Sequence, residues 1–207
     1  QIASIAISEN DSAPTVTLAS SASSIGEGGS DLTLTATLSN PTYETVTVSI
    51  DGTSGSATEG TDFATVTDIT IASGDTTGTA VFNPTEDNLY DASSAESAVI
   101  AISGVSGGSA TESGIQTVSI SITDGDSAPT VTLASSASSV GEGESALTLT
   151  ATLSVATYAN VVVSIDGTGG TGTEGSDFET VSDITISAES TSGTTAFTPT
   201  DDSGTYE

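Results

Sequence analysis

Apolar and polar side chains alternate with period two in seven short runs between residues 11 and 125, and each run predicts a β-strand. The first covers 14–20, where Val16 and Leu18 fall on one face. In the second, Leu32, Leu34, Ala36 and Leu38 alternate with Thr33, Thr35 and Thr37. Val46, Val48 and Ile50 mark the third. Val66, Ile69 and Ile71 mark the fourth, with a slip of phase that suggests a bulge. The fifth covers 79–82, the sixth 99–102, and the seventh carries Val118, Ile120 and Ile122. Gly, Ser, Asn and Asp fill the intervals, as turns require. No segment shows a helical period. Seven short strands with one apolar face each predict a two-sheet β-sandwich of immunoglobulin-like type.

The pattern is written almost twice. Asp11-Ser12-Ala13-Pro14-Thr15-Val16-Thr17-Leu18 returns as Asp126-Ser127-Ala128-Pro129-Thr130-Val131-Thr132-Leu133, an offset of 126 − 11 = 115 residues. At that offset, residues 11–85 and 126–200 share 53 identities in 75 pairs, which fixes a tandem repeat. Gln1 to Ser8 matches Gln116 to Thr123 in the same register. We therefore read 1–10 as the last strand of a preceding repeat and 11–125 as one complete repeat. Residues 126–207 are a second repeat truncated before its last strands. The expected fold is all-β, with tandem seven-stranded sandwiches arranged end to end. The expected partners are neighbouring repeats of the same or an identical chain, forming a fibre. Strand addition at the truncated repeat is the alternative.

Charge changes the picture more than composition does. The chain has 28 Asp and Glu and no Lys, Arg or His, a formal net charge of −28. No carboxylate can pair with a side-chain cation. A cluster of them must be dispersed in water, protonated, or neutralised by a bound cation. Binding to nucleic acid or to an anionic membrane surface has no cationic side chain to rest on. No apolar run approaches the roughly 20 residues of a membrane span. With no Cys there is no disulfide or thiolate metal site, and without Lys no isopeptide cross-link. The chain starts at Gln1 with no signal sequence and reads as part of something longer. The lack of Lys and Arg, which leaves a trypsin-like protease nothing to cut after, suits an extracellular or cell-surface address.

Strand order predicts where the acids gather. In such a sandwich, the turns after the first, third and fifth strands share one end with the exit of the seventh. That end collects Glu27, Asp51, Glu59, Asp62, Glu86, Asp87, Asp91, Asp124 and Asp126, whereas the other holds Glu44, Asp75 and Glu112. The second repeat follows suit with Glu142, Glu144, Asp166, Glu174, Asp177 and Asp201, together with Asp202 and Glu207, against Glu189. Ca²⁺, with six to eight oxygen ligands in flexible geometry, resolves such crowding, whereas zinc and copper prefer the absent His and Cys.

Four motifs in order carry a family resemblance. They are Asp51-Gly52-Thr53 followed by Glu59-Gly60-Thr61-Asp62-Phe63, then Thr85-Glu86-Asp87-Asn88-Leu89-Tyr90-Asp91, then Ile122-Thr123-Asp124-Gly125-Asp126. Over essentially its whole length the chain resembles the Calx-beta domain, which binds Ca²⁺ where these loops meet. The resemblance implies Glu27, Asp51, Glu86, Asp87, Asp91, Asp124 and Asp126 as ligand candidates, with Glu142, Asp166, Asp201, Asp202 and Glu207 as counterparts. Glu9 and Asp11, before Pro14, resemble a further site at a junction between repeats. Gly125 and Asn88 stand where the family carries acids, and the second repeat has an extra residue around Ser203-Gly204-Thr205. Both departures imply fewer or weaker ions. Asp62 and Asp177 are expected to cap backbone N–H groups instead.

The function expected is structural: a Ca²⁺-stiffened segment of an extracellular filament, stalk or adhesin, with a regulatory Ca²⁺ sensor as the alternative. An enzyme is not expected, because no His, Cys or Lys is present to act as base or nucleophile and no Trp offers a sugar platform.

Overall fold

A computed structural model describes residues 2–6, 8, 10–92, 95–167 and 169–201. The described residues contain strands and no helix. The chain divides into two units, Gln1–Glu86 with Ser94–Thr123, and Asp87–Ser93 with Asp124–Glu207.

The first unit is the two-layer sandwich that the alternation predicts. One sheet has the order β6 (Thr77–Phe82), β3 (Leu32–Leu38), β1 (Thr15–Ser20), β9 (Thr111–Glu112), and the other β2 (Ser24–Gly26), β10 (Thr117–Thr123), β8 (Glu96–Ser106), β4 (Val46–Gly55), β5 (Ile69–Ile71). The predicted first, second, fifth and seventh strands appear as β1 (Thr15–Ser20), β3 (Leu32–Leu38), β6 (Thr77–Phe82) and β10 (Thr117–Thr123). Val16, Leu34, Val46, Val48, Ile50, Ile69, Ile71, Phe82, Ile100, Ile120 and Ile122 turn inward and are buried. Their outward neighbours are mostly Thr and Ser, β-compatible side chains that tolerate water. Phe63 reaches the same core from a loop and stacks on Phe82 with ring centroids 4.9 Å apart.

Three details depart from the sequence reading. The third strand, β4 (Val46–Gly55), runs on past its apolar residues and pairs with β8 (Glu96–Ser106) as far as Gly55 opposite Ala98. Gly55 has a φ of +113°, and a side chain there would collide with the Ser97 carbonyl. A stretch that reads as a turn is therefore strand, because glycine lets the two backbones close up. The fourth strand is only β5 (Ile69–Ile71), and Val66 is a buried loop residue. Its slip of phase marks the end of a loop, and the irregular register lies in β4 at Ser49/Ile50 and Gly52/Ser54. Two short strands, β2 (Ser24–Gly26) and β9 (Thr111–Glu112), join sheet edges by parallel pairing with β10 and β1.

The second unit carries the same plan in fewer strands. β11 (Val131–Ser135), β12 (Leu147–Leu153) and β16 (Ser192–Phe197) form one sheet, and β14 (Val161–Val163) pairs with β15 (Ile184–Ile186). A small core of Ala151, Leu153, Ile184 and Ile186 lies between them. Phe178 and Phe197 repeat the ring stack at 4.9 Å. The unit also takes in β7 (Leu89–Tyr90), which pairs in parallel with β13 (Ala156–Thr157).

Candidate functional site

The predicted polarity of the loops holds in the first unit. At one end, Glu27 N–H donates to the Thr123 carbonyl at 2.9 Å, which ties the loop after β2 to the exit of β10. In the same loop Gly28 has a φ of +61°, and the carboxylate of Glu86 lies over its Cα where a side chain would sit. Glu27, Glu86 and the end of β10 are thus brought to one tip. At the opposite end, Gly108 N–H donates to Glu44 Oε2 at 3.1 Å and Gly74 N–H to the Thr42 carbonyl at 2.8 Å.

Several acids at the tip organise backbone. Glu59 accepts from Gly52 N–H at 3.2 Å and Val66 N–H at 2.7 Å. Asp62 accepts from Thr58 N–H and Asp177 from Thr173 N–H, both at 2.5 Å, the capping role expected of them. Asp51 is exposed within β4, opposite Ala101 and beside the inward-facing Ile50. It lies on the outer surface of the sheet because β4 continues four residues beyond it, to Gly55.

The second unit holds the larger part of the predicted set. Asp124 is half-buried, and both of its oxygens accept backbone N–H groups, Oδ2 from Asp91 at 2.8 Å and Oδ1 from Asp126 at 2.7 Å. This one carboxylate holds the two other acidic residues in place through their own main chain. Asp126 Oδ2 is buried with no hydrogen-bond partner. Asp87 accepts from Leu89 N–H at 2.8 Å, a local turn that launches β7. Farther along, Asp201 sits over Gly143 (φ +63°), with its Cβ 3.2 Å from the position a Gly143 side chain would take. That repeats the Glu86–Gly28 arrangement at the 115-residue offset. Glu142 and Asp166 are exposed. Asp11 is exposed at the start of the first repeat, and Glu9, Asp202 and Glu207 lie outside the described residues.

A bound calcium ion would need oxygen donors and a site that lacks counter-charge. The donor chemistry fits. Asp126 offers a buried oxygen with no hydrogen bond, in a chain without a single basic side chain to approach it. Leaving such an oxygen unpartnered is costly, and a hard cation satisfies it. Among the described residues, however, no three acidic side chains converge tightly enough to form a closed cage.

The sequence reading missed the pairing of Leu89 and Tyr90 with Ala156 and Thr157, closed by Tyr158 N–H donating to the Tyr90 carbonyl at 3.1 Å. A two-residue strand has no alternation to reveal it. The signal available was the Thr-Tyr pair preserved between the repeats as Thr42-Tyr43 and Thr157-Tyr158.

Comparison with known proteins gives these loops their context. The family model of the Calx-beta domain matches residues 9–122 and 124–201. Among solved structures, the apo form of a Calx CBD1 domain has 15% identity and a TM-score of 0.45, covering 54% of this chain and 99% of its own. The calcium binding domain CBD12 of CALX1.1 has 16% identity and a TM-score of 0.44, over 86% of this chain and 73% of its own. A two domain protein with unknown function from Bacteroides fragilis has 9% identity and a TM-score of 0.40, over 90% of this chain and 84% of its own. No curated protein matches. Two successive matches that together span most of the chain, on an all-β fold whose loops gather acids at one tip, make this protein a member of the Calx-beta domain family.

Proposed function

We propose that the chain is a non-enzymatic, Ca²⁺-binding structural segment of an extracellular filament, stalk or adhesin, in which ions at the loop tips and repeat junctions stiffen the array. The observation that carries this reading is the Asp124–Asp126 segment. Asp124 spends both oxygens on the N–H groups of Asp91 and Asp126, and Asp126 keeps one buried oxygen with no hydrogen bond. That oxygen and its neighbours are where a cation would act. Asp91 and Asp126 would be its first ligands, with Asp124 as the residue that positions them. In the first unit, Glu86 over Gly28 is a further donor, and Asp201 over Gly143 is its counterpart in the second. Millimolar extracellular Ca²⁺ would keep sites of about 10⁻⁴ M filled, and each filled site adds about 1.4 kcal/mol.

Thermal melting of the full chain in calcium and in chelator tests this. Calcium should raise the transition, and Asp126→Asn should remove much of the rise while leaving melting in chelator little changed. Identical transitions in both buffers defeat the proposal. Solution scattering should show a more flexible particle in chelator.

A regulatory Ca²⁺ sensor is the second reading. It is favoured by the open arrangement of the acids, which must move to close on an ion. A titration midpoint below about 10⁻⁵ M would select it.

A further inference from the structure

The second repeat receives an arm that the first repeat has room to receive as well. In the second unit, the segment Leu89–Tyr90 lies along Ala156–Thr157 in parallel register, with the Tyr158 N–H on the Tyr90 carbonyl. Thr157 is only 5% exposed there, the one buried polar residue among those described. The receiving loop has a fixed internal shape. Thr157 Oγ1 donates to the Ala159 carbonyl at 2.7 Å, and Glu189 N–H donates to the Thr157 carbonyl at 2.8 Å. At the 115-residue offset the first repeat makes the same two bonds, from Thr42 Oγ1 to the Glu44 carbonyl at 2.5 Å and from Gly74 N–H to the Thr42 carbonyl at 2.8 Å.

The loop is therefore built the same way in both repeats, but in the first it stands open. Thr42 is half-buried where Thr157 is buried, and Tyr43 is 98% exposed where Tyr158 is 65%. The Tyr43 N–H, counterpart of the donor that closes the pairing, has no hydrogen-bond partner among the described residues. A groove lined by Asp11, Ser12, Asn40, Pro41, Thr42 and Tyr43 runs beside it. At the 115-residue offset Pro41 and Thr42 correspond to Ala156 and Thr157, the residues that pair with β7 in the second unit.

We infer that the Pro41–Tyr43 groove is a docking site for the Leu89–Tyr90 segment of another Calx-beta repeat, placed ahead of this one in an array. The occupant is a short extended stretch with a bulky apolar pair, a Leu-Tyr in this chain, launched by an acidic turn as Asp87 launches β7. Pro41 has no N–H to give, so the pairing here rests on the Tyr43 N–H. The inference builds on the proposed array but not on calcium. An arm that pairs through backbone groups joins successive repeats whether or not an ion is present.

Paired cysteines test it cleanly, since the chain has none of its own. The full chain is lengthened at its N-terminus by a copy of residues 11–115, so that Gln1 takes the place of Gln116. The added Tyr90 then stands 67 residues before Thr42, as the native Tyr90 stands 157 − 90 = 67 residues before Thr157. The native pair Tyr90→Cys with Thr157→Cys, whose positions are in register, is the internal standard. The test pair is Tyr90→Cys in the added copy with Thr42→Cys. Under mild oxidation both pairs should lose their free thiols and shift on a gel, in calcium and in chelator alike. Cross-linking of the standard with none of the test pair overturns the inference, and failure of both overturns it together with the observed arm. Calcium dependence of melting is read separately, so either proposal can fail while the other stands.

Discussion

β1 and β11 share the run Val-Thr-Leu-Ala-Ser, yet the two strands live in different surroundings. Val16 is 0% exposed and Leu18 7%, whereas Val131 is 45% and Leu133 52% exposed. In the first unit β1 packs beneath β10 and β8, which close the sandwich over its apolar face. The described part of the second unit has no counterpart of either strand. Sequence alternation therefore fixes which face of a strand is apolar, but burial comes from the opposing layer. The hydrophobic driving force scales with area removed from water, and without the opposing strands little is removed.

The largest test of this contrast uses the ring pairs. Phe82 is fully buried on Phe63, and Phe82→Ala should cost about 3–5 kcal/mol in denaturant unfolding, because the cavity adds to the lost transfer energy. Phe197 is only half-buried on Phe178, so Phe197→Ala should cost no more than about 2 kcal/mol. Equal losses would mean that the second core is better closed than its exposure indicates.

The leucines sharpen the same point on identical sequence. Leu18→Ala should destabilise the first unit by about 2–5 kcal/mol, while Leu133→Ala should stay within about 0.5 kcal/mol. Chemical denaturation of the two variants side by side measures the difference. A large effect at Leu133 would show that something covers β11 in solution.

The strands and the loop polarity were legible because alternation and strand order are enough to determine them. The inward positions of β3, β4 and β10 follow directly from Leu34, Val48 and Ile120. The junction of Glu27, Glu86 and the end of β10 follows from counting turns. What could not be read lay where glycine or a single side chain overrides local pattern. Gly52-Thr53-Ser54-Gly55 looks like a turn and is strand, since only the contact with Ser97 reveals the close approach. Asp124 looks like a plain ligand candidate and proves to hold two backbone N–H groups, because its partners at 91 and 126 meet only in the fold. The β7–β13 pairing was hidden for the same reason, being two residues long and distant in sequence.

The smallest contrast concerns the acids themselves. Gly28 and Gly143 adopt the same left-handed backbone, φ +61° and +63°, so alanine at either position carries the same conformational penalty of about 1 kcal/mol. Their surroundings differ. A methyl on Gly28 would strike the Glu86 carboxylate, whereas one on Gly143 would press less severely, 3.2 Å from Asp201 Cβ and 3.4 Å from its Oδ2. Subtracting the two effects cancels the backbone cost and leaves the displacement of the acid. In chelator, Gly28→Ala and Gly143→Ala should differ by a few tenths of a kcal/mol, since an exposed carboxylate moves aside cheaply. In calcium the cost of Gly28→Ala should exceed its own cost in chelator if Glu86 is a donor at the tip, because the methyl then holds a ligand away from the ion, and Gly143→Ala reads Asp201 in the same way. A Gly28→Ala cost that is equal in the two buffers would remove Glu86 as a donor.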